Sequence, residues 1–538
     1  MAKEHHLATV WEHVADAVPG RPALIDPRHT RTWAQYDDRA ARLAAALSGM
    51  GVGTGGRIAI YAYNRNEWLE TTFAAFKLRA VPLNVNYRYL EDELVYLLAD
   101  GEAEAVVFEG CFAPRIAAVR DRLPRLRHAI QVDDGSPLLD GARAYEDLIA
   151  GQSPLPRQAR SADDRFVIYT GGTTGMPRGA VYRHGDVLAK TVRGYLFRGL
   201  PVPETVEDLL AGVRQLDAAD RCPRVMPACP LMHGMGIYTG AMFPMNMGGC
   251  TVMADNRRFD PHVLWQTVVR HRVEEITIVG DSFARPLLEA LDEAAAAGRP
   301  YDLSAFRQML SAGVIWSQEV KAGLLRHADL KLVDSLGCTE GAMAINVATR
   351  GNVGETARFT PNAGTRVLTE DGRDVRPGSG EIGHVAMCVG IPLEYDKDPE
   401  KTARTFRVFD GVRYCLPGDQ ATIEADGTLV LLGRGALCIN TGGEKVFPEE
   451  VEEVLKRHPG VADCAVVGLP DPLFGEQVAA VVARRPGTDV TAEDLIADTH
   501  GRIAGYKVPR RVVFVDAMRR GDNGKMDYPW ARAAAEAP

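Results

Sequence analysis

The stretch "YTGGTTGMPRGA", Tyr169 to Ala180, sets three glycines, three threonines and a basic residue within ten positions, directly after the apolar run Phe166–Ile168. Loops of this composition commonly hold anions, because a backbone without Cβ atoms can curl its N–H groups around phosphate oxygens. Gly171, Gly172 and Gly175 supply that freedom, Thr170, Thr173 and Thr174 add hydroxyl donors, and Arg178 adds a forked cationic donor. A Walker loop requires glycine, four residues, then Gly-Lys-Ser/Thr, and no register of this stretch supplies it. A Gly-x-Gly-x-x-Gly match at Gly51, Gly53 and Gly56 follows a helical run and precedes a strand. That is the reverse of the dinucleotide-binding order, so it reads as a helix-ending turn. Taken alone, the 169–180 loop is as compatible with a mobile surface turn as with a phosphate cradle.

The rest of the chain narrows the choice. Its 538 residues exceed one ordinary core, so two or more domains are expected. The balance of 46% hydrophobic to 25% charged residues is that of a soluble globular protein. No apolar run reaches membrane-spanning length, and the start "MAKEHHLATVWEH" lacks the basic-then-apolar order of a secretory signal. Nine scattered cysteines without a Cys-x-x-Cys pair suit reduced thiols in a cytoplasm. A net charge of −9 argues against general nucleic-acid binding while leaving room for a locally positive nucleotide pocket.

Apolar, β-branched runs alternate with helical patterns, which predicts α/β layers. "IAIYAY" (58–63) and "AEAVVFEG" read as strands around the helix "EWLETTFAAFKLRA". "EITIVG" and "LKLVDSLG" each read as a strand running into a glycine turn. From "GEIGHVAM" to "TLVLLG" the rhythm changes to short antiparallel strands. Beyond "LLGRGALCINTGGEKV" a compact unit follows: a helix opened by Pro448 and closed by Pro459–Gly460, then strands, a second helix and "RVVFVD". The Ala-rich tail "ARAAAEA" reads as helix filler or a frayed end.

Seven motifs in order settle the loop's reading: "YTGGTTGMPRG", "PLMHGMG" (230–236), "SLGCTEG" (335–341), "GEIGHVAM" (380–387), "YCLPGDQATIEADGTLVLLGR" (414–434), "GGEKVFPEEVE" (442–452) and "NGKMDY" (523–528). Together they resemble the adenylate-forming superfamily of acyl-CoA synthetases, luciferases and peptide-synthetase adenylation domains. "GRGALCINTGGEKVFPEEVE" is most similar to actinobacterial fatty-acyl and steroid-acyl-CoA synthetases. The resemblance implies an α/β fold: a large N-terminal domain of layered α/β subdomains plus a β-rich subdomain (1–433), a hinge (434–436) around Ala436, and a small mobile α+β C-terminal lid (437–538).

It also implies an acid–thiol ligase using ATP, Mg²⁺ and coenzyme A. A carboxylate has no good leaving group; transfer to the α-phosphorus of ATP supplies one, and a thiol then expels AMP. Two anions must meet, so the site needs positive charge. By resemblance, Lys525 bridges carboxylate and α-phosphate, Glu340 holds Mg²⁺ on the phosphates, and Thr339 donates to the α-phosphate. Asp419 accepts both ribose hydroxyls, Arg434 touches ribose or phosphate, and the 170–178 loop with Gly313, Ser335 and Gly337 surrounds the nucleotide. His233, Gly234 and Asp281 gate or line the acyl pocket, "SAGVIWS" (311–317) lines adenine and acyl group, and Gly442, Gly443, Glu444 and Lys445 approach the pantetheine arm of CoA.

The chain departs from the family pattern at Arg178 (usually lysine), Ala436, Asn440 and "RRGDNGK", where Asp522 could pair with Lys525. An enzyme working mainly on a preformed acyl-adenylate, and one loading a carrier protein, therefore stand as alternatives. The Gly-, Met- and Ala-rich segments near His233 and Asp281 fit a bulky hydrophobic acid: fatty, steroid or terpenoid. A homodimer is left open.

Overall fold

The Val-, Ile- and Ala-rich runs of the first half become parallel strands covered by helices on both faces. The computed structural model describes residues 5–170, 177–254, 257–313, 316–434, 437, 439–441, 444–471, 475–500, 502–503, 505–521 and 524–537, with backbone alone at 434, 440, 444, 445 and 475. One five-stranded parallel sheet runs in the order Val81–Asn84, Arg57–Tyr61, Ala105–Glu109, His128–Val132, Arg143–Ala144. The glycine run before Arg57–Tyr61 is a turn, as expected. The helix Trp33–Gly49 ends there, and Gly51 and Gly55 adopt φ of +87° and +77°, which favour glycine.

A second, larger sheet changes character along its width. Pro22–Ile25, Cys250–Val252, Arg224–Pro227, Glu275–Ile278, Gln308–Ala312 and Lys331–Cys338 lie parallel. From Gly341–Ala348 onward, through Arg358–Pro361, Leu429–Arg434, Asp419–Ile423 and Gly383–Met387, the pairing is antiparallel. The seam is the reversal at Thr339–Glu340. The glycine turn expected after "LKLVDSLG" does not occur there: Gly337 remains in the strand at a bulge, opposite Ala342. A Cβ on Gly337 would stand only 3.0 Å from the Gly341 carbonyl, so glycine serves close strand approach rather than reversal.

The C-terminal unit is a separate small α+β domain. Strands Val461–Asp471 and Gly475–Arg484 form a long antiparallel pair, with Arg511–Val515 parallel beside the latter. Alternate residues face opposite sides. Cys464, Val466, Val478, Ala480 and Val482 pack with Val451 and Leu455 of the helix Pro448–Lys456. Ala465, Val467, Ala479 and Val481 pack with Ala531 and Ala535 of the helix Tyr528–Glu536. The Ala-rich tail is thus a docked helix rather than a frayed end, because small side chains let it approach the sheet closely. The eight described cysteines are free thiols. Among the described residues no helix is long and apolar enough to cross a membrane.

Candidate active site

A cavity of about 1720 Å³ lies where the two large sheets, the antiparallel extension and the C-terminal domain meet. The opening motif reaches it as a hairpin. Strands Arg165–Thr170 and Arg178–Arg183 pair with Tyr169 opposite Gly179 and Thr170 opposite Arg178. Both Thr170 and Arg178 line the cavity, while Gly171, Gly172, Thr173, Thr174 and Gly175 lie outside the described residues. Asn84 clamps the hairpin to the neighbouring wall. Its side-chain oxygen accepts from the Tyr169 N–H (2.7 Å), and its amide donates to the carbonyls of Tyr169 (2.8 Å) and Met232 (2.6 Å). Arg178 is not a free cation: its Nε donates to Asp398 (2.9 Å), and its guanidinium also donates to the Tyr96 hydroxyl.

The seam turn carries the cavity's acid. Thr339 and Glu340 both line it, and Glu340 is only 8% exposed. The Tyr395 hydroxyl donates to the Glu340 carboxylate, and the Tyr182 hydroxyl donates to the Thr339 carbonyl. Burial, and then the adjoining carboxylate, push the Tyr395 phenol well above its usual range, so it stays a donor. Lys401 places its ammonium 4.2 Å from the centre of the Tyr395 ring.

A single buried carboxylate beside a hydroxyl fits magnesium, which takes one or two carboxylates and completes its shell with water and substrate phosphate. Among the described residues, the group able to ligate a metal through three protein side chains, Glu109, Cys111 and Asp134, is different in kind. There Arg257 reaches both carboxylates at 2.8 Å, so the acids are already compensated.

On the acyl side, Met235–Met242 winds as a wide helix whose Phe243 N–H reaches back five residues to the Tyr238 carbonyl. Such winding is frequent at functional sites. It presents Met235, Tyr238 and Thr239 to the cavity, next to His233 and Gly234. Ser311, Ala312 and Gly313 line the opposite wall with Ser335 and Gly337. Trp316, expected with them, is instead fully buried in the core beneath the parallel sheet. Asp281 also departs from expectation and is not among the lining residues. Its carboxylate accepts from the Ser317 N–H (2.9 Å) and from Arg285 (3.4 Å), tying two helix starts together.

Asp419 is buried at the start of its strand, directly after the lining segment Leu416–Gly418 and opposite the backbone of Arg434. Lys525 lines the cavity from the C-terminal domain. Its carbonyl accepts from the Gly521 N–H (2.7 Å), closing a tight loop. Gly524 in that loop has φ +75°, and a Cβ there would stand 3.3 Å from the Ser282 hydroxyl. Ala436, Gly442, Gly443 and Asp522 lie outside the described residues. Glu444 and Lys445 belong to a short strand paired with Ile439–Thr441.

Sequence reasoning missed Tyr395, Asn84, Asp398 and a lysine at the cavity wall, Lys190. Each acts on a partner remote in sequence, and none belongs to a motif that marks it.

Comparison with known proteins identifies the family. The family model of the AMP-binding enzyme matches residues 11–388, and that of the AMP-binding enzyme C-terminal domain matches residues 450–525. A 3-oxocholest-4-en-26-oate–CoA ligase of Rhodococcus rhodochrous is 41% identical over 537 residues, covering 98% of this chain and 95% of the relative. A medium/long-chain-fatty-acid–CoA/3-oxocholest-4-en-26-oate–CoA ligase of Mycobacterium marinum is 40% identical, covering 100% and 98%. Among solved structures, the anthranilate CoA ligase AuaEII in complex with anthranoyl-AMP superposes with a TM-score of 0.84 at 24% identity, over 99% and 98% of the two chains. ATP-bound MatB from Rhodopseudomonas palustris gives 0.79 at 24% identity, over 98% of each. With matching domain models over both parts and full-length relatives near 40% identity that are CoA ligases, the chain belongs to the AMP-binding enzyme family.

Proposed function

We propose that the chain is an AMP-forming acyl-CoA synthetase of a bulky hydrophobic carboxylic acid. The acid's carboxylate attacks the α-phosphorus of ATP, pyrophosphate leaves, and the acyl-adenylate forms. The thiol of coenzyme A then attacks the acyl carbon, giving the thioester, AMP and a proton. The observation that carries this reading is the convergence of Thr170 and Arg178, Thr339 and Glu340, and Lys525 on one cavity large enough for nucleotide and acid together.

In this reading Lys525 spans the carboxylate and the α-phosphate, offsetting the repulsion between two anions as they meet. Thr170 and Thr339 supply hydroxyl donors. Glu340, steadied by Tyr395, would hold Mg²⁺, which when bound neutralises phosphate charge. Asp419 and Arg434 receive the ribose side, and His233 with Gly234 borders the acyl group. The chain divides at 433, with 434–436 as hinge and 437–538 as lid. Rotation about the hinge withdraws Lys525 and brings 442–445 toward the incoming thiol. The wall at 232–239, with Met232, Gly234, Met235 and Tyr238 facing the cavity, suits an apolar acyl group, in keeping with the steroid and fatty acids named for the relatives. A cytoplasmic setting fits a reaction that consumes ATP and CoA.

The Lys525→Gln variant tests the scheme. Acid-dependent ATP–pyrophosphate exchange should fall by about 100-fold or more, the scale expected for losing one preorganised stabilising donor. Conversion of supplied acyl-adenylate to acyl-CoA should fall far less. Equal loss in both half-reactions would remove Lys525 from the adenylation role. Wild-type chain that converts acyl-adenylate without pyrophosphate exchange would favour the thioesterification-only alternative, and transfer confined to a carrier protein would favour the loading enzyme.

A further inference from the structure

Lys190 stands in the last turn of the helix His184–Thr191 and lines the cavity. Its ammonium lies 4.0 Å from the centre of the Tyr238 ring and 5.2 Å from that of Tyr182. Ring faces attract a cation but accept none of its three N–H bonds in the ordinary sense. Among the described residues no carboxylate lies within ion-pair distance of it, whereas Lys77 and Lys321, the deeply buried lysines, each hold one at 2.9 Å or closer. Beside it the Tyr238 hydroxyl is buried and makes no hydrogen bond. Two polar groups, one charged, thus share a largely apolar wall with their hydrogen-bonding capacity unspent, an arrangement that is costly unless something supplies acceptors.

The position is close to the reacting end of the cavity. The Tyr182 hydroxyl is already committed to the Thr339 carbonyl, and Lys190 and Tyr238 both feel the charge of Glu340. Burial pulls the Lys190 ammonium down to about 8, so it still carries its charge at neutral pH.

We propose that Lys190 and Tyr238 form a polar subsite that grips a second oxygen function of the acid, a hydroxyl, oxo or carboxylate group within a few bonds of the reacting carboxyl. This rests on reading the cavity as an acyl-activating site. It separates the chain from an enzyme for plain hydrocarbon acids: selectivity comes from an ammonium that an oxygenated substrate satisfies and a hydrocarbon chain does not.

Equilibrium binding of octanoate and of 2-, 3- and 4-hydroxyoctanoate, measured by calorimetry, tests it without turnover. Wild-type protein should bind at least one hydroxy acid about tenfold more tightly than octanoate, the scale of one charge-assisted hydrogen bond. Lys190→Met should erase that preference while leaving octanoate bound at least as tightly, since a cation facing the alkyl chain is gone. Lys190→Arg should retain part of it. Tyr238→Phe, which removes one hydroxyl, should narrow the preference. No preference for any hydroxy acid in the wild type would overturn the proposal. So would a Lys190→Met variant that weakens all four acids alike, which would make Lys190 a partner of the common carboxylate. Pyrophosphate exchange with the same acids reads the ligase assignment separately: selective binding without exchange would sink that assignment and leave the subsite standing.

Discussion

Replacing Tyr395 by phenylalanine removes one hydroxyl and little else. The ring would still meet Phe406, whose centre is 5.6 Å away, and would still lie under the Lys401 ammonium. What disappears is the donor to the Glu340 carboxylate, a group only 8% exposed. A hydrogen bond to a charged group is worth about 1.5–3 kcal/mol, and each 1.4 kcal/mol is a factor of ten. If that bond holds Glu340 in position for a cation, Mg²⁺ affinity should fall by about 10–100-fold, the range typical of partners behind a metal ligand. The assay is acid-dependent pyrophosphate exchange titrated with Mg²⁺ at fixed ATP. The half-saturating Mg²⁺ concentration should rise by that factor, and the rate should return at high Mg²⁺. Because the phenol is pushed up by burial and by the carboxylate, the difference should be the same at pH 6.5 and pH 8.5. An unchanged Mg²⁺ curve, or a lost rate that no amount of Mg²⁺ restores, would refute the placement of the cation at Glu340.

Two further outcomes concern the frame around the site. Asn84→Ala deletes three hydrogen bonds joining the hairpin to the Met232 wall, so thermal unfolding should occur at lower temperature, with a loss of about 2–3 kcal/mol, and the KM for ATP should rise. An unaltered melting curve would show that the clamp is dispensable. His6 and His184 stack in the core with centroids 3.6 Å apart. Burial pushes His184 down to about 3 and His6 further still, so both are neutral in the folded chain at pH 7. In the unfolded chain they protonate near pH 6.5. The unfolded form therefore binds the extra protons as pH falls, and stability declines below about pH 6.5. For His184 alone the loss reaches about 2 kcal/mol at pH 5 and levels off near pH 3. A denaturation midpoint that stays flat from pH 7 to pH 5 would contradict this.

Much of the architecture was legible because it is written in local chemistry. Pro448 opens its helix where proline's missing N–H costs nothing, and the apolar runs at 57–61, 105–109 and 275–278 become strands. Thr170, Arg178, Thr339, Glu340 and Lys525 were legible only through motif order, and they do reach one cavity. Gly337 was misread since a bulge and a turn ask for the same residue, and only the pairing partner tells them apart. Asp281 was misread because an acid at a helix start serves equally as a pocket group or a tie to a neighbouring N–H. Tyr395, Asn84 and Lys190 carried no local signal at all. Their partners are 55, 85 and 48 positions away, brought close by crossovers between sheets.

The helix Tyr528–Glu536 begins three residues beyond Lys525 and is riveted to the sheet by Ala531 and Ala535, both fully buried. On the other side of the lysine, Arg520 bridges to Met526 and also grips Asp463. In the proposed lid scheme, Lys525 would therefore move with the C-terminal body to which the helix Tyr528–Glu536 and Arg520 tie its neighbours. A chain shortened to end just before Tyr528 would retain the lysine and lose the buried Ala531 and Ala535 contacts that fix the helix beside it.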